Sequence, residues 1–564
     1  MTGRVSQQGR LAAALLAVGG LGACSSILPE TTPFTPVVDT FEGKYIDTIS
    51  ADIEAARGPE QDGFDVKALN DLQVSQGLAT MDIGGLVDAP DMLAYLRNIL
   101  SRVTGVYPYD KPAIELYIDA SDRGTAQATP DAEIYVSLGF LEKVETEGQL
   151  AMVLAHEAAH ILLNHFSRQD YIDAQRKAVT AGAGIAMIGT AVANSDVEKD
   201  YKGDYQVNHD AQDTAEKTAT LQTSSWLINR VSDHVVNNLW SRKQEEAADL
   251  LAADLLVKSG YNPRASADLF RLLVELRAEE GTYLDFLKKQ QEITFRELSE
   301  SGDASAFAGG TIKAFFTNVA GAGKEAWRRL GITHIDPADR QERMNTYRKR
   351  EYQRVKFSKV EREAERTNYE RAKEDRLPET LLAGHHAANE ATTALIERRL
   401  KDAEKLAEQG ISGRTVDSAH TRTVMANVRN AQRRYDDALL NLKRIAPNEL
   451  RSRQSYELEM QLYAIKGDYE DALSVTERAK AKLGTDEPFM PLRIQIQLRR
   501  GELELAWQEH DRCREEALSA KIREECAASM QNRRRPGEES GGGLPGKGLF
   551  DGLGKGLGNL LPGS

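Results

Sequence analysis

A helix that is apolar on nearly every side cannot carry two histidines and a glutamate without giving them partners, and residues 151–165, AMVLAHEAAHILLNH, read as such a helix. Thr146 with Gln149 three residues on is a capping-box pair, which predicts a helix starting there and well formed by His156. Four residues make slightly more than one turn, so His156 and His160 share a face. Their imidazoles converge on a point that one zinc ion can occupy, with Glu157 beside it. Zinc held by two neutral imidazoles and a third protein ligand keeps one position open for water, whose pKa falls to about 7, and Glu157 is placed to take its proton.

A third ligand is offered by SRKQEEAADLLAADLLVKSGYNP, which begins at Ser241 and has helical character. Glu245 and Asp249 are four apart, so one carboxylate can bind the metal while the other orients a ligand histidine; Glu246 competes on composition. Upstream, residues 92–104 have helical apolar spacing, and AIELYID and EIYVSL read as two short strands flanking a polar loop. The second strand leads into the metal helix. As an edge strand it would let a peptide add as a further strand beside the metal; a plain structural hairpin fits the pattern equally. Two stretches of small residues, 178–193 and 307–323, read as covering helices that together form a lid or, equally, as ordinary buried helices.

At the N-terminus, Arg4 and Arg10 precede the apolar run LAAALLAVGGLGA and Cys24. Residues 1–23 read as an export signal, and LGAC resembles a bacterial lipobox, which implies lipidation of Cys24, with residues 24–44 as a tether. Ser25 after the cysteine implies delivery to the outer membrane, with the protein facing the periplasm and held to the membrane by the lipid anchor alone. The net charge of -14 argues against nucleic acid as a partner. The glycine-dense C-terminal tail, within residues 531–564, cannot build a packed core.

Taken together, the His-Glu-x-x-His helix and the Glu-x-x-x-Asp helix resemble the zinc metallopeptidase family of the CAAX prenyl endopeptidase and its bacterial relatives. Ser241, Arg242, Glu245 and Asp249 fit that family's Ser-Arg-x-x-Glu pattern, which implies Glu245 as the third zinc ligand. His165 matches a common family position, whereas the third histidine of a metzincin would fall at Phe166. THIDPADRQERM resembles the family's later Thr-His-Pro element and implies roles for His334 and Arg340. Ile335 stands where Pro is usual and Ala252 where Gly is frequent. His334 has three readings: a hydrogen-bond donor to charge developing on the carbonyl oxygen, a plug of the metal's open position, or a bystander.

The last third has its own period. Tyr435, Tyr469 and Leu503 recur at intervals of 34, as do Ala438, Ala472 and Ala506, which resembles tetratricopeptide repeats. Cys513 falls where that consensus has a small buried alanine, and Cys526 on the helix that would cap the stack. An oxidising compartment permits a disulfide between them if a turn follows Leu518, because one unbroken helix would hold the pair about 20 Å apart. The fold expected is α+β and mainly helical. A metallopeptidase domain with a small sheet spans 45–350, a helical connector 351–410, and an α-solenoid of repeats 411–530. The function expected is that of an exported zinc endopeptidase with one Zn2+ per chain, acting on protein or peptide substrates in envelope quality control. Its repeats would engage substrate or the envelope protein assembly machinery. A periplasmic chaperone or assembly scaffold with little proteolysis is the competing expectation.

Overall fold

The computed structural model describes residues 41–49, 85–129, 132–165, 197–199, 205–207, 242–276, 337–517 and 520–530, together with 533 and 535. Expectations for the export signal and Cys24, the stretches 178–193 and 307–323, His334 and the tail from residue 536 lie outside the described residues.

Helix α1 (Pro90–Thr104) opens with proline in its first turn, where no backbone N–H is missed, and buries Met92, Leu96, Ile99, Leu100 and Val103 along one stripe. Three strands follow: β1 (Glu115–Asp119), β2 (Ala126–Ala128) and β3 (Glu133–Ser137), in the order β1-β3-β2. β1 runs parallel to β3, with Glu115 opposite Glu133 and Asp119 opposite Ser137, while β2 is antiparallel to β3. The two strands read from the sequence therefore form no hairpin. The loop between them supplies β2, too short to show an alternation, and β3 becomes the central strand rather than an edge. β3 also stops short of the metal helix. Ser137 Oγ accepts from the backbone N–H of Phe140 and caps the short helix α2 (Leu138–Lys143), which intervenes.

Helix α3 (Glu147–Leu162) carries the His-Glu-x-x-His motif and starts where the capping box predicts: Thr146 Oγ1 accepts from Gln149 N, and Gln149 Oε1 accepts from Thr146 N. α3 packs against β2, β3, α1 and α4 (Arg242–Lys258), and α4 packs against α5 (Pro337–Tyr352). Two further short strands, β4 (Val197–Lys199) and β5 (Tyr205–Val207), pair antiparallel with each other. The stretch expected as a connector contains α6 (Lys359–Arg376), which lies on α1 and α3 instead. Tyr369 on α6 is fully buried, its hydroxyl donating to Leu141 O, and Leu377 and Leu381 belong to the same core as α3, so packing of the metal half continues well past residue 350.

Beyond α6 the chain is a run of paired helices. α7 (Glu379–Ile396) and α8 (Leu400–Gly410), within the stretch expected as a connector, form a hairpin. It is followed by α9 (Ala419–Ala431) with α10 (Tyr435–Lys443), α11 (Arg453–Lys466) with α12 (Tyr469–Leu483), and α13 (Met490–Arg499) with α14 (Leu503–Glu516). The second helices of the last three pairs begin at Tyr435, Tyr469 and Leu503, and Ala438, Ala472 and Ala506 are fully buried. The turns inside these pairs repeat as well: Arg433, Gly467 and Gly501 all have positive φ, at 59°, 82° and 78°. α14 stops at Glu516 with Ala517 extended, and α15 (Ala520–Ser529) turns back so that Cys513 and Cys526 are joined as a disulfide with Cα atoms 6.5 Å apart. No described helix is long and apolar enough to cross a membrane.

Alternation along a strand sends successive side chains to opposite faces, and here the two faces serve two cores. Leu116, Ile118, Ile134 and Val136 belong to the same core as α3, whereas Tyr135, with Tyr117 stacked on it at 5.2 Å, belongs to the core of Leu86, Ala426 and the paired helices. The contact is close. A Cβ on Gly85 would lie 2.5 Å from His420 Cβ, Asn389 Nδ2 donates to Ala120 O, and His386 Nε2 sits 3.0 Å from Glu142 Oε1.

Candidate metal centre

The middle of α3 is buried, leaving His156 4%, Glu157 2% and His160 0% exposed, so each charge or lone pair there must be met by protein or by a ligand. His156 Nε2 and His160 Nε2 face each other at 3.2 Å. α4 lays its first turn across them and brings Glu245, also fully buried, with Oε1 3.6 Å from His160 Nε2 and Oε2 3.7 Å from His156 Nε2. These three residues offer ligand atoms all within 4.8 Å of one another. A tetrahedral ion with ligands at about 2.0–2.1 Å holds its donors about 3.3 Å apart, so the set fits zinc in both spacing and chemistry.

Each histidine is aimed from behind. Asp249, one turn beyond Glu245 on α4, places Oδ1 2.9 Å from His156 Nδ1, which holds the proton on that nitrogen and leaves the Nε2 lone pair toward the donor group. His165 Nδ1 lies 3.0 Å from His160 Nδ1 and fixes that ring in the same way; burial pushes the His165 imidazole down to about 3, so it is neutral. Gln244 Nε2 holds His165 in turn through its carbonyl oxygen. Arg340, from α5, donates to both oxygens of Asp249, and its Nη1 lies 3.3 Å from Glu245 Oε2. Burial alone would raise the Asp249 carboxyl; Arg340 and His156 outweigh it and hold the group well below the usual carboxylate range. Glu246 is directed elsewhere, its Oε2 3.4 Å from Arg343 Nη1.

Of the residues singled out in the sequence, His156, Glu157, His160, Glu245, Asp249, His165 and Arg340 come together here, from α3, its C-terminal turn, α4 and α5. His334 lies outside the described residues, and Cys513 and Cys526 are on α14 and α15, away from this group. Asp254 went unread. It lies fully buried on α4 and binds Tyr347 and Tyr352. The sign was an aspartate alone in the apolar run LLAADLLV.

A paired-histidine helix with a glutamate on its flank, joined to a second helix that returns a buried carboxylate, defines a metallopeptidase centre. Residues 93–347 match the model of Peptidase family M48, a span that contains every one of these site residues. The match supports a metallopeptidase of that family over this span, which ends within α5 and leaves the repeat helices outside it. No curated protein matches the chain.

Proposed function

We propose that the chain is an exported, lipid-anchored zinc endopeptidase that works in envelope protein quality control from the periplasmic side of the outer membrane. The observation that carries the catalytic part is the buried group His156, His160 and Glu245, with Asp249 and Arg340 behind it. These three residues hold one zinc ion, which when bound supplies Lewis acidity toward the scissile carbonyl and toward water. Glu157, next to His156 and shielded from solvent, takes the proton of the attacking water and returns it to the leaving amine. β2 is the sheet edge that packs on α3, so an extended peptide pairing along β2 would lie across the metal helix. His334 is assigned the hydrogen bond to charge growing on the carbonyl oxygen.

The paired helices are read as tetratricopeptide repeats that recruit substrate or envelope assembly partners; the identical turn positions Arg433, Gly467 and Gly501 support this. Complementation of a depletion strain with Glu157→Gln tests the whole reading. Loss of rescue with trapped envelope proteins is expected, and full rescue would favour a scaffold.

A further inference from the structure

Residues 41–49 overlap the end of the expected tether, 24–44, but are built into the metal half of the molecule, with Phe41 packed against its core. Tyr45, Ile46 and Ile49 are buried, with a short 3-10 turn at Tyr45–Asp47. Two of its backbone N–H groups are bound by buried side chains of α4 and α5. Ile46 N donates to Asp254 Oδ2 at 2.7 Å, and Tyr45 N donates to Tyr347 Oη at 2.7 Å. The Tyr347 hydroxyl donates onward to Asp254 Oδ1 at 2.7 Å, and Tyr352 donates to the same oxygen at 2.5 Å. Arg350 reaches back to the carbonyl oxygens of Phe41 and Gly43 and lies over the Phe41 ring. Asp254 thus accepts from the N-terminal segment and from α5 while standing on α4.

Seven residues separate Arg340 from Tyr347, two turns on one face of α5 and about 10 Å along its axis. α5 is therefore pinned to α4 at two buried points, with the partly exposed Arg343–Glu246 pair between them. One is the pair of bonds from Arg340 to Asp249 behind the metal ligands; the other is Tyr347 to Asp254, shared with residues 41–49. Without the second point α5 is held to α4 only nearer the metal ligands, by Arg340 and Arg343, and a pivot of the helix there would turn the Arg340 fork out of line with Asp249.

We propose that Asp254 is a positioning residue for the metal centre and that residues 41–49 are a strap which, through Asp254 and Tyr347, holds Arg340 in register on Asp249. This rests on His156, His160 and Glu245 being a metal site. Full-length chain is stripped of metal and titrated with Zn2+ against a chromophoric chelator, and separately with Co2+ while the visible spectrum is recorded. Tyr347→Phe and Asp254→Asn are expected to bind Zn2+ 10–100-fold more weakly and to change the Co2+ spectrum, as supporting groups behind a metal ligand do. Arg350→Ala, which loosens the strap without touching α4, shifts affinity in the same direction. Tyr369→Phe, which removes another buried tyrosine bond of this half, keeps wild-type affinity and spectrum. Unchanged binding in folded Tyr347→Phe overturns the proposal, as does an equal loss in Tyr369→Phe, and Tyr347→Phe decides should Asp254→Asn fail to fold. Absence of Zn2+ binding by the wild-type chain would instead remove the metal site itself, and the proposal with it.

Discussion

Arg340 meets Asp249 across 91 residues of sequence with two parallel hydrogen bonds, Nε to Oδ2 at 2.8 Å and Nη2 to Oδ1 at 2.6 Å. A planar fork can satisfy both carboxylate oxygens at once; an ammonium cannot. Arg340→Lys therefore keeps the charge and loses the orientation. Metal affinity is expected to fall about 10–100-fold with the fold retained, read by chelator competition and circular dichroism. Arg340→Ala leaves a buried carboxylate unmatched and is expected to cost about 3–5 kcal/mol in denaturant unfolding.

In the proposed mechanism, metal binding and proton transfer reside in different side chains. Glu157→Gln is expected to retain about one zinc per chain while hydrolysis falls by a factor of about 100 or more. Glu245→Ala loses the metal itself. Metal analysis with a peptidase assay on each purified variant checks both, and full zinc retention in Glu245→Ala would move the third ligand elsewhere.

Asp119, at the end of β1, is buried with Ser121 N donating to Oδ1 at 2.8 Å. Burial pushes its carboxyl up to about 6, against a weaker opposing effect of the Ser121 bond. Between about pH 4 and 6 the folded chain binds more protons here than the unfolded chain, so this contribution is complete below about pH 4 and is lost as pH rises through 6. The shift corresponds to about 3 kcal/mol. Asp119→Asn is expected to match wild type near pH 4 and to exceed it by up to about that amount at pH 7.5, in urea titrations at the two pH values.

The Cys513–Cys526 bridge closes the last hairpin onto α15, in a small core with Met490, Ile494, Ala506 and Ile522. Loops of this size give about 3 kcal/mol of stabilisation. Cys526→Ser is expected to raise hydrogen exchange in α14 and α15 while α3 and α4 stay protected.

Anchoring is expected to depend on Cys24. Cys24→Ala should move the mature protein from the membrane to the soluble periplasmic fraction, read by fractionation. Retention in the membrane fraction would point to another attachment.

The metal helix was legible because burial, capping and chemistry all act within a few residues: Thr146 and Gln149 fix where α3 starts, and the four-residue step from His156 to His160 fixes what converges. Glu245 could be separated from Glu246 only by the family resemblance, since both are buried and the choice depends on which one α4 turns toward α3 and which toward Arg343. The small sheet was expected, but its pairing was not legible. Its central pairing joins β1 to β3 in parallel over a loop, a long-range choice that alternation within either strand does not encode. α6 was misread for a different reason. The stretch was expected as a helical connector because it is dense in charged residues, and one buried face, with Tyr369 and Ala372, is enough to dock it.

A strand with two owners leaves no room for a leash. Because Tyr135 belongs to the repeat core and its neighbours Ile134 and Val136 to the metal core, the two halves meet across the thickness of one strand. Flexible tethering would offer a captured protein to the metal at a millimolar effective concentration and in every orientation. If the paired helices recruit substrate as proposed, a protein held there approaches the metal site from one bearing only, and the proposed cut is then set by how it is gripped as much as by which residues flank the bond.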